Sequence, residues 1–117
     1  MQGGAGTVSE FRDAWALVQE SCAASGRDPS MLTSGKLLYV NPGEDRAEAE
    51  AHVHRLTVAY YGEEMGMRQT LAAGAADDIA GVIRAFREAG CQTPMLGLPE
   101  PDIAKLAYLA ETVAPLV

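Results

Sequence analysis

Few residues in this sequence are of a kind that can do chemistry, and their spacing decides how far each can be taken. The only histidines, His52 and His54, lie two positions apart. On a helix such residues point in different directions, so they cannot share a metal ion as an i, i+4 pair would. The ordinary reading is a helix whose histidines meet solvent or a neighbour, and no metal site is assigned. Cys22 and Cys91 form neither a metal nor a redox spacing; their small or apolar neighbours suit buried thiols, and no disulfide is expected. The acidic pairs Glu63-Glu64 and Asp77-Asp78 could serve acid–base chemistry or a hard cation. Asp77 and Asp78 have a simpler use at the positive end of a helix dipole, while Glu63 and Glu64 follow a helix and face water. Gly3-Gly4-Ala5-Gly6-Thr7 runs into a capped helix, loosely as a phosphate cradle does. No strand precedes it, however, and the Rossmann and Walker spacings are absent. No Ser/His/Asp or Cys/His set can be assembled, so no catalytic residue is assigned.

The elements that would position these residues follow from hydrophobic period and punctuation. Thr7-Val8-Ser9-Glu10 is a capping box, with Thr7 as N-cap and Glu10 reaching back. Val8, Phe11, Trp15, Val18 and Cys22 then alternate three and four apart, one face of a helix that ends at Gly26. Lys36-Leu37-Leu38-Tyr39-Val40, closed by Asn41-Pro42-Gly43, is a short run suited to a strand buried on both faces. A second helix opens near Glu44 and Asp45, carries Ala49, Val53, Leu56 and Tyr60 on its apolar stripe, and stops at Gly62. Residues Glu63 to Ala73 have no clear period and are expected to form a loop. A third helix runs from Ala75 to Gly90 with Ile79, Val82, Ile83 and Phe86 on one side. The segment from Cys91 to Leu98 is a second strand, with Pro94 at its start or on an unpaired edge. Pro101 suits the first position of a last helix, striped by Ile103, Leu106, Ala107, Ala110 and Val113 and stopped by Pro115. The order helix, strand, helix, helix, strand, helix implies parallel strands joined by helical crossovers.

The chain has 117 residues, enough for one domain. Aromatics make up only 6% and much of the apolar content is alanine, which favours closely packed helices over a large aromatic core. The formal charge of −7 repels nucleic-acid phosphates and anionic headgroups, so nucleic-acid and membrane-surface partners are set aside. No apolar run is long enough for a membrane-spanning helix, and Met1-Gln2-Gly3-Gly4 lacks the regions of a signal peptide. A cytoplasmic location is the resulting expectation.

Several stretches, in this order and spacing, resemble the C-terminal part of luciferase-like monooxygenases. They are Phe11-Arg12-Asp13-Ala14-Trp15, the turn Gly26-Arg27-Asp28-Pro29, Asp45-Arg46-Ala47-Glu48-Ala49 after a strand, and Tyr60-Tyr61-Gly62. Gly74-Ala75-Ala76-Asp77-Asp78-Ile79 stands where the family often has Gly-Thr-Pro-Glu-Glu-Val. Ala89-Gly90-Cys91 before the last strand and Leu109-Ala110-Glu111-Thr112-Val113-Ala114-Pro115 complete the set.

The resemblance implies an α/β fold, a partial (β/α)8 TIM barrel of about two parallel strands with four helices. Residues 1–117 would form a single partial domain, with residues 1–6 flexible. It implies FMN or a deazaflavin coenzyme and hydride-transfer chemistry carried by that cofactor. A whole barrel needs about 250 residues and eight strands, so the chain is expected to be inactive on its own. The upstream Gly-Gly phosphate-binding stretch and the N-terminal strands are lacking. Barrel function sits at the C-terminal ends of the strands, which here are Asn41 and Pro42 after the first and Gly97 and Leu98 after the second. Asn41 and Gly97 are the rim candidates for cofactor binding; turn formation is the competing role for each. Missing strands would leave edges and an apolar inner face to be covered by self-association or by a complementary N-terminal barrel segment. The alternative is a small stand-alone or oligomerising interaction module with no catalytic activity.

Overall fold

A computed structural model describes residues 2–3 and 5–117, with side chains from residue 5 onward. The capping box forms as the sequence requires: Thr7 Oγ1 accepts from the Glu10 amide and Glu10 Oε2 accepts from the Thr7 amide. Helix α1 runs from there over Val8–Ala24. A short 3₁₀ turn, Pro29–Met31, leads into strand β2, Gly35–Pro42. The remaining elements are β1 (Gln2–Gly3), α2 (Arg46–Tyr61), α3 (Glu63–Met67), β3 (Leu71–Gly74), α4 (Ala76–Glu88), β4 (Thr93–Gly97) and α5 (Ile103–Tyr108).

Every strand pairs in parallel with β2. Residues Gly35 to Tyr39 pair with β4 along one edge, and Tyr39 to Pro42 pair with β3 along the other. Gly35 and Lys36 also pair with β1, which therefore lies end to end with β3. The sheet is thus three strands wide with β2 in the centre. The two strands read from the sequence are β2 and β4, adjacent and parallel in the sheet although β3 comes between them in the chain.

The stretch 63–73, expected as a loop, instead holds α3 and β3. Leu71-Ala72-Ala73-Gly74 lacks any alternation and takes its strand form from pairing with β2. Helix α3 is set by contact with α2: a Cβ on Gly66 would lie 2.5 Å from Val58 Cα, so only glycine lets the two backbones approach this closely. The start of the chain, expected to be flexible, is tied down at its described positions. Gln2–Gly3 pair with β2, the Gly6 amide donates to Arg68 O at 3.0 Å, and Lys36 Nζ donates to Ala5 O at 2.9 Å. Met1 and Gly4 lie outside the described residues.

Alternation along β2 separates two environments. The even positions Leu38 and Val40 are completely buried and join Phe11, Trp15, Ile79, Ile83, Phe86, Cys91, Leu109 and Val113 in the main core. Phe11 and Phe86 meet edge to face, with centroids 5.8 Å apart. Gly90, at φ +102°, passes so close to Trp15 that a Cβ would stand 2.8 Å from Cδ1. On the odd face Leu37 and Tyr39 are half-buried, and α2 reaches this side through Ala49 and Tyr61. Helices α2 and α4 therefore lie on opposite faces. Right-handed crossovers require this when the chain steps from β2 to one neighbour and then back across to the other.

Two apolar stripes differ from the sequence reading. On α2 the buried positions are Ala49, Val53 and Thr57, while Leu56 is half-buried and Tyr60 is exposed. The last helix begins at Ile103 with Asp102 as its cap, so Pro101 precedes it and is not its first residue. It widens into a π-type turn over Leu109–Val113. That change of pitch puts Leu109 and Val113 in the core and leaves Ile103 at 87% and Leu106 at 59% exposure.

Candidate functional site

The C-terminal ends of β2 and β4 open onto two hollows, one aromatic and one polar. The aromatic cleft, about 310 Å³, is lined by Tyr39, Leu56, Thr57, Tyr60, Tyr61, Leu98 and Pro99. Tyr39 comes from the odd face of β2, and Tyr60 and Tyr61 from the last turn of α2. Tyr39 and Tyr61 share a hydroxyl–hydroxyl hydrogen bond of 2.6 Å. The Tyr60 and Tyr61 rings meet edge to face at 4.7 Å. Burial and the bond to Tyr61 push the Tyr39 phenol up to about 12, so it stays protonated over the whole neutral range. Thr57 does not present a free hydroxyl here, because Oγ1 donates to Gly66 O and His54 O.

The polar hollow, about 220 Å³, lies beyond Asn41 and is edged by Pro42, Glu44, Asp45, Glu48, His52, Arg55 and Lys105. Asn41 is buried and uses both ends of its amide within the fold. Its Nδ2 donates to Ala49 O at 3.1 Å, and its Oδ1 accepts from Lys105 Nζ at 2.7 Å. Three elements, β2, α2 and α5, are thereby locked at one point.

The structure therefore sends the rim candidates to different places. Asn41 and Pro42 border the polar hollow. Leu98 lines the aromatic cleft, and Gly97 packs beside it, where a Cβ would be in ordinary contact with Leu37 and Tyr39. The two sites are not one constellation. Sequence reasoning missed Lys105, Tyr39 and Tyr61. Lys105 carried a signal, being the sole basic residue after Arg87; nothing in spacing could bring Tyr39 to Tyr61.

The remaining reactive residues have structural uses. Asp78 accepts from the Ala75 amide at 3.1 Å and from Arg46 Nη1 at 3.3 Å, holding the start of α4. Glu63 and Glu64 are exposed in the first turn of α3. His52 Nε2 lies 3.3 Å from Glu100 Oε1. Burial raises the Cys91 thiol and lowers the Lys36 ammonium, which sits 5.3 Å from the Phe86 ring centroid. A thiol held protonated in this way is a poor nucleophile. Among the described residues no three His, Cys, Asp or Glu side chains gather as a metal site would require. No helix among them is long and apolar enough to cross a membrane.

No family model matches this chain, and no curated protein matches it closely. Solved structures do. An F420-dependent secondary alcohol dehydrogenase, solved with an F420-acetone adduct, superposes with a TM-score of 0.79 at 19% identity over 99% of this chain. The long-chain alkane monooxygenase LadA gives 0.72 at 16% identity over 97%. The coenzyme F420 dependent tetrahydromethanopterin reductase from Methanopyrus kandleri gives 0.71 at 15% identity over 97%. All three are luciferase-like oxidoreductases, and this chain has their fold. It spans 42%, 35% and 44% of their respective lengths, less than half of each.

Proposed function

We propose that this chain is the C-terminal segment of a luciferase-like oxidoreductase that uses F420 or a flavin, and that it is inactive until a complementary N-terminal barrel segment joins it. The superposition over 97–99% of the chain, against less than half of each neighbour, carries this reading. A cofactor of this kind supplies hydride transfer when bound. The residues present do not by themselves fit it. The aromatic cleft has no cation on its lining to meet a phosphate, and Lys105 is already engaged by Asn41. The polar hollow is smaller than the roughly 300 Å³ at which small-molecule pockets begin.

The test is a fluorescence titration with FMN and with coenzyme F420. The chain alone should give no saturable quenching, and a mixture with an N-terminal barrel segment should give it. Saturation by the chain alone would sink the claim of an incomplete site. Absence of binding with every complement tried would favour the second reading, a non-catalytic interaction module. The exposed Ile103 and Leu106 on the last helix are the observation that keeps this second reading in play.

A further inference from the structure

The aromatic cleft has features that neither hydride chemistry nor the fold demands. All seven of its lining residues are uncharged, in a chain where 21% of residues carry charge. Tyr39, Tyr60, Tyr61 and Pro99 present rigid surfaces that lose little entropy on contact. One proton is spent in the bond between the Tyr39 and Tyr61 hydroxyls. The other has no protein acceptor among the described residues and lies where a ligand can reach it. Its volume of about 310 Å³ falls at the small end of the ~300–1,000 Å³ range of ligand pockets, room for a compound of two fused rings.

We infer that this cleft binds an uncharged aromatic compound carrying one hydrogen-bond acceptor, the acceptor meeting the spare hydroxyl of the Tyr39–Tyr61 pair and the ring packing against Tyr60, Leu98 and Pro99. The assignment rests on the cleft alone and stands or falls independently of the cofactor reading. A carboxylate of the same shape binds more weakly, because a single hydroxyl donor is all the lining offers against the cost of desolvating its charge. A ligand placed here would lie beside Gly97, at the C-terminal end of β4.

Two probes of matched ring system separate the possibilities, methyl naphthyl ketone and naphthoate, titrated against the full chain with binding followed by NMR. The ketone should saturate and shift the signals of Tyr39, Tyr61 and Leu98, with naphthoate at least ~10-fold weaker, since no cation on the lining offsets the desolvation of its charge. Tyr39→Phe combined with Tyr61→Phe removes both hydroxyl donors and should weaken the ketone by about 5-fold, the value of one ordinary hydrogen bond. Because Tyr60 is 82% exposed, Tyr60→Asp should leave the fold intact and still abolish saturable binding by placing a charge on the rim. Equal binding of ketone and naphthoate overturns the inference. So does a ketone that fails to saturate, or shifts that fall outside the cleft, or indifference to both variants.

Discussion

The two faces of β2 are built from alternating residues of one short strand, yet they ended up with different lives. The even face, Leu38 and Val40, meets α1, α4 and the last helical turn, and no water reaches it. The odd face, Leu37, Tyr39 and Asn41, is met by α2 and α5, and its polar contacts run through hydroxyls, an amide and an ammonium. The even face is buried and, apart from Lys36, apolar. The odd face is polar and partly open, and both hollows lie on it. Buried core and open hollows thus lie on opposite sides of a single strand.

That division can be broken most severely from the even side. Phe86→Ala removes a ring that is 1% exposed and packs on Phe11, and should cost about 3–5 kcal/mol, seen as a large fall in the midpoint of a urea melt. A loss under ~1 kcal/mol would mean that this face is not the seat of stability.

Next comes Asn41, a buried polar residue of the odd face. Asn41→Ala removes the buried side chain that bonds both the Lys105 ammonium and the Ala49 carbonyl and should cost about 1–3 kcal/mol by the same melt. If Asn41 is instead a ligand-binding group, stability will hold and only cofactor binding to the complemented protein will change.

The alkaline limb of stability sharpens the contrast further. The Tyr39 phenol is raised in the folded state to about 12 from an ordinary 10.0. The folded state therefore holds that proton more tightly. The resulting stabilisation is complete below pH 10 and is lost as pH rises from there through about 12. Tyr39→Phe should flatten this part of the stability curve, and an ultraviolet titration should lose its latest-ionising tyrosine. Lys36, on the even face, acts with the opposite sign. Its pKa is lowered by burial, so the unfolded state binds the extra proton and stability gains as pH approaches the ordinary lysine value of 10.5.

The smallest effect belongs to the last helix. Ile103→Ser, at a side chain 87% exposed, should move the melt by less than ~0.5 kcal/mol in the chain alone. A loss of complementation by an N-terminal segment in that same variant would mark this face as the one such a segment covers.

Much of the fold could be read from local chemistry. The Thr7 capping box, the glycine stops at Gly26, Gly62 and Gly90, and the apolar stripe of α4 are each set within a turn or two of chain, and all occur where the sequence places them. The acidic pair at Asp77 and Asp78 does sit at a helix start, with Asp78 bonding back to Ala75. Strand β3 could not be found in this way, since four small residues carry no period of their own and its hydrogen bonds come from β2. The last helix misled for a related reason: a π-type turn shifts the phase of its side chains, so a stripe counted at uniform pitch points Ile103 and Leu106 inward when they face out.

The sequence by itself determined the helices, the two principal strands and their parallel sense, because capping, period and crossover length are local quantities. It also carried the resemblance whose fold the structure shares. The tertiary structure alone decided which residues form a site. Tyr39 and Tyr61 are 22 positions apart and Asn41 and Lys105 are 64 apart. Contacts over such separations depend on how the sheet orders its strands and which face each helix covers, and no spacing rule along the chain encodes that.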